Sequence, residues 1–137
     1  MYALRPPALD DLGLEGALKQ QAALYEASGL RVDVAIEPTP LPALPAAVEV
    51  AVYRIAQEGL TNVVKHAQAQ TGWLRVSVAA AGGVTVEVRD DGRGLSADAT
   101  AGVGWQSMRE RAAELGGRCE IAHAPEGGLA VVAWVPL

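Results

Sequence analysis

The chain contains no phenylalanine, and its 137 residues include one cysteine, three tryptophans and three tyrosines. A core without Phe has to be assembled mainly from Val, Leu, Ala and Ile. The lone Cys119 excludes an internal disulfide and suits a reducing compartment. Long apolar runs are missing too. No stretch approaches the roughly 20 residues of a membrane span, and no signal-peptide pattern opens the sequence. Basic residues are outnumbered, 11 against 16 acidic ones, for a net charge of −5. That balance argues against nonspecific nucleic-acid binding, which needs a basic surface. Any phosphate bound here is held by local geometry instead. What remains is a globular composition, 50% hydrophobic and 20% charged, at a single-domain length.

Periodicity divides the chain into alternating helices and strands. After a Pro-interrupted start, Leu14, Ala17, Leu18, Ala22 and Tyr25 recur at helical spacing, and Gly29 supplies a stop. "LRVDVAIE" alternates strictly and reads as a half-buried strand. The Pro-rich "PTPLPALP" is a loop. From Ala46 to about Ala67, Val48, Val52, Ile55, Leu60, Val63 and Val64 predict one long helix. The strands "WLRVSVAA" and "VTVEVR" meet across Gly82-Gly83, a hairpin signal. After "DDGRGL", "SADATA" and "GVG" comes a helix, "WQSMRERAAEL". Two closing strands flank "PEGG". The order α, β, α, β, β, loop, α, β, β predicts a two-layer α/β (α+β) sandwich. Its sheet is mixed and mostly antiparallel, with helices on one face.

Three stretches carry candidate chemistry. In "QEGLTNVVKHA", residues 57–67, helical geometry stacks Glu58, Asn62 and His66 at successive i, i+4 positions beside Lys65. An Asn oxygen is a hard ligand suited to Mg²⁺, Lys65 can pair with a phosphate, and Glu58 can polarise a water or a nucleophile. A plain solvated helix face accounts for the same spacing. In "DDGRGL", Asp90 falls at a strand end and Gly92 and Gly94 follow. The glycines let a flat ligand touch backbone, and the carboxylate can accept an amine; an ordinary Asp-Gly turn is the simpler account. In "GVGWQSMRER", Gly102 and Gly104 precede a helix whose free N–H groups favour phosphate. Leu95 to Ala101 is small and polar enough to move as a lid. His123 reads as structural, Cys119 has no base partner, and Trp73, Trp105 and Trp134 read as packing groups.

Together, "YRIAQEGLTNVVKHA", "VEVRDDGRGL" and "GVGWQSMRERAAELGG" resemble the N, G1 and G2 boxes of the GHKL superfamily, which shares the Bergerat ATP-binding fold. The wording is similar to sensor histidine kinases of the nitrate-sensor subfamily, whose linker to the phosphoacceptor helices resembles "LRPPALDDLGLEGAL" at residues 4–18. The resemblance implies that residues 1–12 are the end of that linker and residues 13–137 the ATP-binding catalytic domain. Asn62 would ligate Mg²⁺, with Glu58 supporting the metal or the attacking group. Lys65 and His66 would face the phosphates. Asp90 would accept the adenine amine, Gly92 and Gly94 would wall the base pocket, and Gly102 and Gly104 would border the lid.

The same resemblance names the cofactors, ATP and Mg²⁺. It also names the partners: a separate dimerisation and phosphoacceptor domain, and a response regulator downstream. It implies a monomeric, cytoplasmic domain, whether or not the parent kinase is membrane-anchored. An F box is absent, and Leu129 stands where the family often has Thr. With His66 given to the nucleotide site and His123 to a strand, no histidine here is left to receive a phosphoryl group. The expected function is therefore protein-histidine kinase catalysis. An anti-sigma-like serine kinase that binds a partner, or a nucleotide sensor without transfer, remains the alternative.

Overall fold

A proline at the first turn of a helix sacrifices an N–H that has no helical partner anyway, and α1 begins in this way, running Pro7–Glu26. The computed structural model describes residues 5–67, 69–79, 82–92, 103–123 and 127–137, excluding the side chains of residues 66, 67, 103 and 104. The helix starts one turn earlier than its apolar periodicity predicts. Gly13, at φ 72° and ψ 171°, breaks the path between that turn and the remainder, a conformation that glycine adopts without a side-chain penalty. Leu9 before the break and Leu14, Ala17, Leu18 and Ala22 after it all enter the same core. Arg5 ties this end down through Asp10 at 2.6 Å and Glu49 at 2.9 Å.

The central helix α2 spans Ala46–Asn62 and buries Val48, Val52, Ile55, Ala56 and Leu60. It then widens into a π turn, Val63–Ala67. Regular α spacing would put Val64 on the apolar face below Leu60; instead Val64 is 40% exposed. The wider turn rotates the residues after Asn62 away from the α register.

Among the described residues five strands form one sheet: β1 (Arg31–Glu37), β2 (Thr71–Val78), β3 (Val84–Asp90), β4 (Arg118–His123) and β5 (Leu129–Val135). Their order is β1-β2-β3-β5-β4. Only the β1–β2 pairing is parallel. The mixed, mostly antiparallel sheet is thus as the alternation predicts. Leu74, Val76, Val84, Val86, Val88, Ala133 and Val135 form its buried face. The third helix, α3 (Val103–Glu114), adds Met108 and Ala112 to the same core. On the opposite face, Arg89 lies over Trp73 and Arg118 over Trp134, at 5.2 and 5.1 Å from the ring centroids. Both pairs are direct cross-strand neighbours. Among the described residues no helix is long and apolar enough to cross a membrane.

Candidate functional site

The buried row of β3 runs Val84, Val86, Val88 and then Asp90, so the fourth inward position of an apolar row is a carboxylate. Asp90 is only 3% exposed. Its Oδ1 accepts the backbone N–H groups of Gly92 at 2.8 Å and Leu129 at 3.4 Å. Burial pushes the Asp90 pKa up from the ordinary carboxylate range; the two N–H donors oppose that rise, and the charge of Asp91 adds to it. Gly128 is what lets the β5 chain come so near. A Cβ there would collide with Asp90 Oδ1 and with the Asp90 carbonyl.

A second glycine sets the distance from this strand to α2. A Cβ on Gly59 would stand 2.8 Å from Val88 Cγ2, closer than side chains tolerate, so the helix lies tightly over β3 two residues before Asp90. Glu58 and the half-buried Asn62 stand on the same helix, beside that contact and one turn beyond it. Glu58 Oε1 accepts the hydroxyl of Ser107 at 3.1 Å and the guanidinium of Arg111 at 3.4 Å, both from α3. Its other oxygen, Oε2, is buried without a hydrogen-bond partner among the described residues. From the other side, the Tyr25 hydroxyl of α1 meets the Thr61 hydroxyl at 2.6 Å and the Gln57 carbonyl at 3.3 Å.

The stripe expected from regular i, i+4 spacing survives only in part. Glu58 and Asn62 share α-helical geometry, whereas Lys65 is an exposed residue of the π turn. The backbone of His66 lies in the same turn, and its side chain is outside the described residues. Asp91 fastens the entry to β2: its Oδ1 accepts the N–H groups of Gln70 and Thr71, each at 3.0 Å. The return to the sheet is therefore tied to the end of β3.

Gly92 lies one residue beyond Asp91 and is described; Gly94, Gly102 and the expected lid, 95–101, fall outside the described residues. Gly104 sits in the first turn of α3. His123 ends β4. Cys119 is buried, and burial pushes its thiol up to about 11, which leaves it an inert core group. The three tryptophans each carry an arginine over the ring, including Arg109 over Trp105 at 4.9 Å. Sequence reading missed Gly59, Asp91, Ser107, Arg111 and Gly128. The Gly-Gly of the last hairpin was visible as a turn, but only the β3–β5 pairing puts it against Asp90. No local signal marks Ser107 and Arg111 as partners of Glu58.

The end of the central strand thus carries a buried carboxylate, and the helix packed over that strand carries Glu58 and Asn62. Residues 47–137 match the family described as histidine kinase-, DNA gyrase B-, and HSP90-like ATPase, and the chain belongs to that family. It is 30% identical over 146 residues to an uncharacterized sensor-like histidine kinase of Chloroflexus aurantiacus, covering 100% of this chain and 24% of that protein. It is 35% identical over 128 residues to the signal transduction histidine-protein kinase/phosphatase UhpB of Salmonella typhimurium, covering 87% of this chain and 24% of UhpB. The chain thus spans about a quarter of the length of these relatives. Among solved structures, full-length ShkA in complex with AMPPNP superposes with a TM-score of 0.71 at 24% identity, over 90% of this chain and 30% of that one. That likeness is one of fold.

Proposed function

We propose that this chain is the Mg-ATP-binding catalytic domain of a two-component sensor histidine kinase and donates the γ-phosphoryl group to a histidine on a separate dimerisation and phosphoacceptor domain. The observation that carries the reading is Asp90: a carboxylate buried at a strand end, held on Oδ1 by two backbone N–H groups. With that oxygen committed, the second accepts the exocyclic amine of adenine, and Gly92 lets the base lie against backbone. Family membership and relatives named as histidine kinases favour this reading over a partner-binding serine kinase.

The helix stripe fits a hard cation. Asn62 offers a carboxamide oxygen, and Glu58 one turn away offers a buried Oε2 that has no partner among the described residues, a pattern suited to an ion that keeps part of its water shell. When bound, Mg²⁺ supplies counter-charge to the phosphates and orients the γ-phosphoryl group for in-line transfer. Asn62 is the proposed ligand. Glu58 Oε2 takes a hydrogen bond from water or from the attacking group, and exposed Lys65, with His66, meets the phosphates. The partners are the phosphoacceptor domain and, downstream, a response regulator. We assign residues 1–12 to the end of the connecting linker and residues 13–137 to the catalytic domain, a cytoplasmic monomer when isolated. Incubation with γ-labelled ATP, with and without a phosphoacceptor domain supplied in trans, tests this. Label should appear on the acceptor and not on this chain; stable label on this chain alone would overturn the assignment of its histidines.

A further inference from the structure

The side of α3 that faces α2 is organised in two adjacent rows. Met108 and Ala112 are both fully buried in the core. One position earlier in each turn stand Ser107 and Arg111, an i, i+4 pair that the same docking places beside Glu58. Both donors converge on one carboxylate oxygen, Oε1, at 3.1 and 3.4 Å. The pair is sheltered, with Glu58 and Arg111 side chains 22% and 29% exposed, so solvent screens it less than it would a surface ion pair. The neighbouring Arg109 stacks on Trp105 instead.

We infer that Ser107 and Arg111 are positioning residues for Glu58: together they commit Oε1 to the protein and leave Oε2 as the oxygen that serves the nucleotide. This rests on the reading of Glu58 given above. A glutamate at a helix surface ordinarily samples several rotamers. Two donors at fixed spacing on a second, core-anchored helix select one of them. The guanidinium also offers a planar, permanently charged donor that fixes the orientation of the carboxylate it meets. The carboxylate is thus correctly set only while α3 is docked on α2. The sequence entering α3 carries the Gly102/Gly104 pair, so the helix next to the proposed phosphate-side glycines also aims the acid of the helix stripe.

The test uses the whole chain with γ-labelled ATP and a phosphoacceptor-histidine domain supplied in trans. Arg111→Met should lower kcat about tenfold or more, as loss of an orienting partner does, with KM for ATP moving less than about threefold. Arg111→Lys should restore part of the loss and Ser107→Ala should cost less. In a Glu58→Gln background, Arg111→Met should have no further effect. A kcat within about twofold of the unmutated chain for Arg111→Met, or an equal drop in both backgrounds, would overturn the inference while leaving the ATP-site reading in place. An unmutated rate for Glu58→Gln would instead sink the role of Glu58 itself, and the inference with it. Independently of turnover, the Glu58 side-chain carboxyl carbon resonance, assigned with Glu58→Gln, should shift in nucleotide-free Ser107→Ala and Arg111→Met. An unmoved resonance in both would show that α3 does not hold the carboxylate.

Discussion

Gly128 stands against Asp90 so closely that a methyl group on it would occupy the space of the Asp90 carboxylate. Alanine at position 128 must therefore push aside a buried strand-end acid and the hairpin that donates the Leu129 N–H. We expect Gly128→Ala to cost about 1–3 kcal/mol of stability through overpacking and to weaken ATP binding in the same variant. Gly127 is the control. Its φ of 102° strains any other residue, but its Cβ position is open, so Gly127→Ala should lose stability alone, by about 1–2 kcal/mol. Urea unfolding and calorimetric nucleotide titration of both variants decide it; unchanged ATP affinity in Gly128→Ala would contradict the adenine assignment.

The Asp90 carboxylate should select adenine over guanine, since guanine presents a carbonyl where adenine presents an amine. Two facing acceptors cost roughly 1–3 kcal/mol, about 5- to 150-fold in affinity. Asp90→Asn keeps an oxygen for the Gly92 and Leu129 donors and turns an amide N–H₂ outward, so it should reverse the preference toward GTP. The same substitution has a pH signature. Because the folded-state pKa of Asp90 is raised, its favourable contribution is fully present below the unfolded value, near 3.8, and is lost as pH rises through the folded value. Nucleotide-free Asp90→Asn should consequently melt higher than the unmutated chain at neutral pH, and the difference should shrink toward pH 3.8. A difference that grows on acidification would reverse the sign of the argument.

Asn62 is half-buried and has no role in the core. Asn62→Ala should leave the melting temperature of the nucleotide-free chain nearly unchanged, at a cost below ~0.5 kcal/mol. It should also abolish most of the gain in ATP affinity that Mg²⁺ gives. Titrations with Mg²⁺ and with EDTA measure that gain, and its persistence would remove Asn62 from the metal site.

Asp91 acts on the backbone. Its carboxylate satisfies the N–H groups of Gln70 and Thr71 as the chain enters β2, and Asp91→Ala frees both. Each lost charge-assisted bond is worth about 1–3 kcal/mol, tempered here by partial exposure. A loss of about 1–3 kcal/mol in urea unfolding is expected, with faster amide exchange at positions 70 and 71. Unaltered exchange there would show that water replaces the carboxylate at no cost.

The periodicities of helix and strand were legible because burial on one face imposes a repeat of 3.6 or 2 on the residues. Val84, Val86 and Val88 announced β3, and Val48, Val52 and Ile55 announced α2, before any contact was known. Asp90 was equally legible, as the acid that ends an alternating row and meets Gly92. The π turn after Asn62 was not. Val63, Val64 and His66 fit an α repeat as well as a wider one, and only the path of the backbone distinguishes them.

The sequence by itself determined the strands, the α-helical segments, the family and the residue types available at the site, because those depend on residue types at short, regular spacings. The tertiary structure alone decided how that chemistry is aimed. Gly59 on Val88 and Gly128 on Asp90 set the distances between elements, and Ser107 with Arg111 selects one oxygen of Glu58. These partners are 29 to 53 residues apart in the chain, and contact across such separations comes from packing the elements together, which no local pattern encodes.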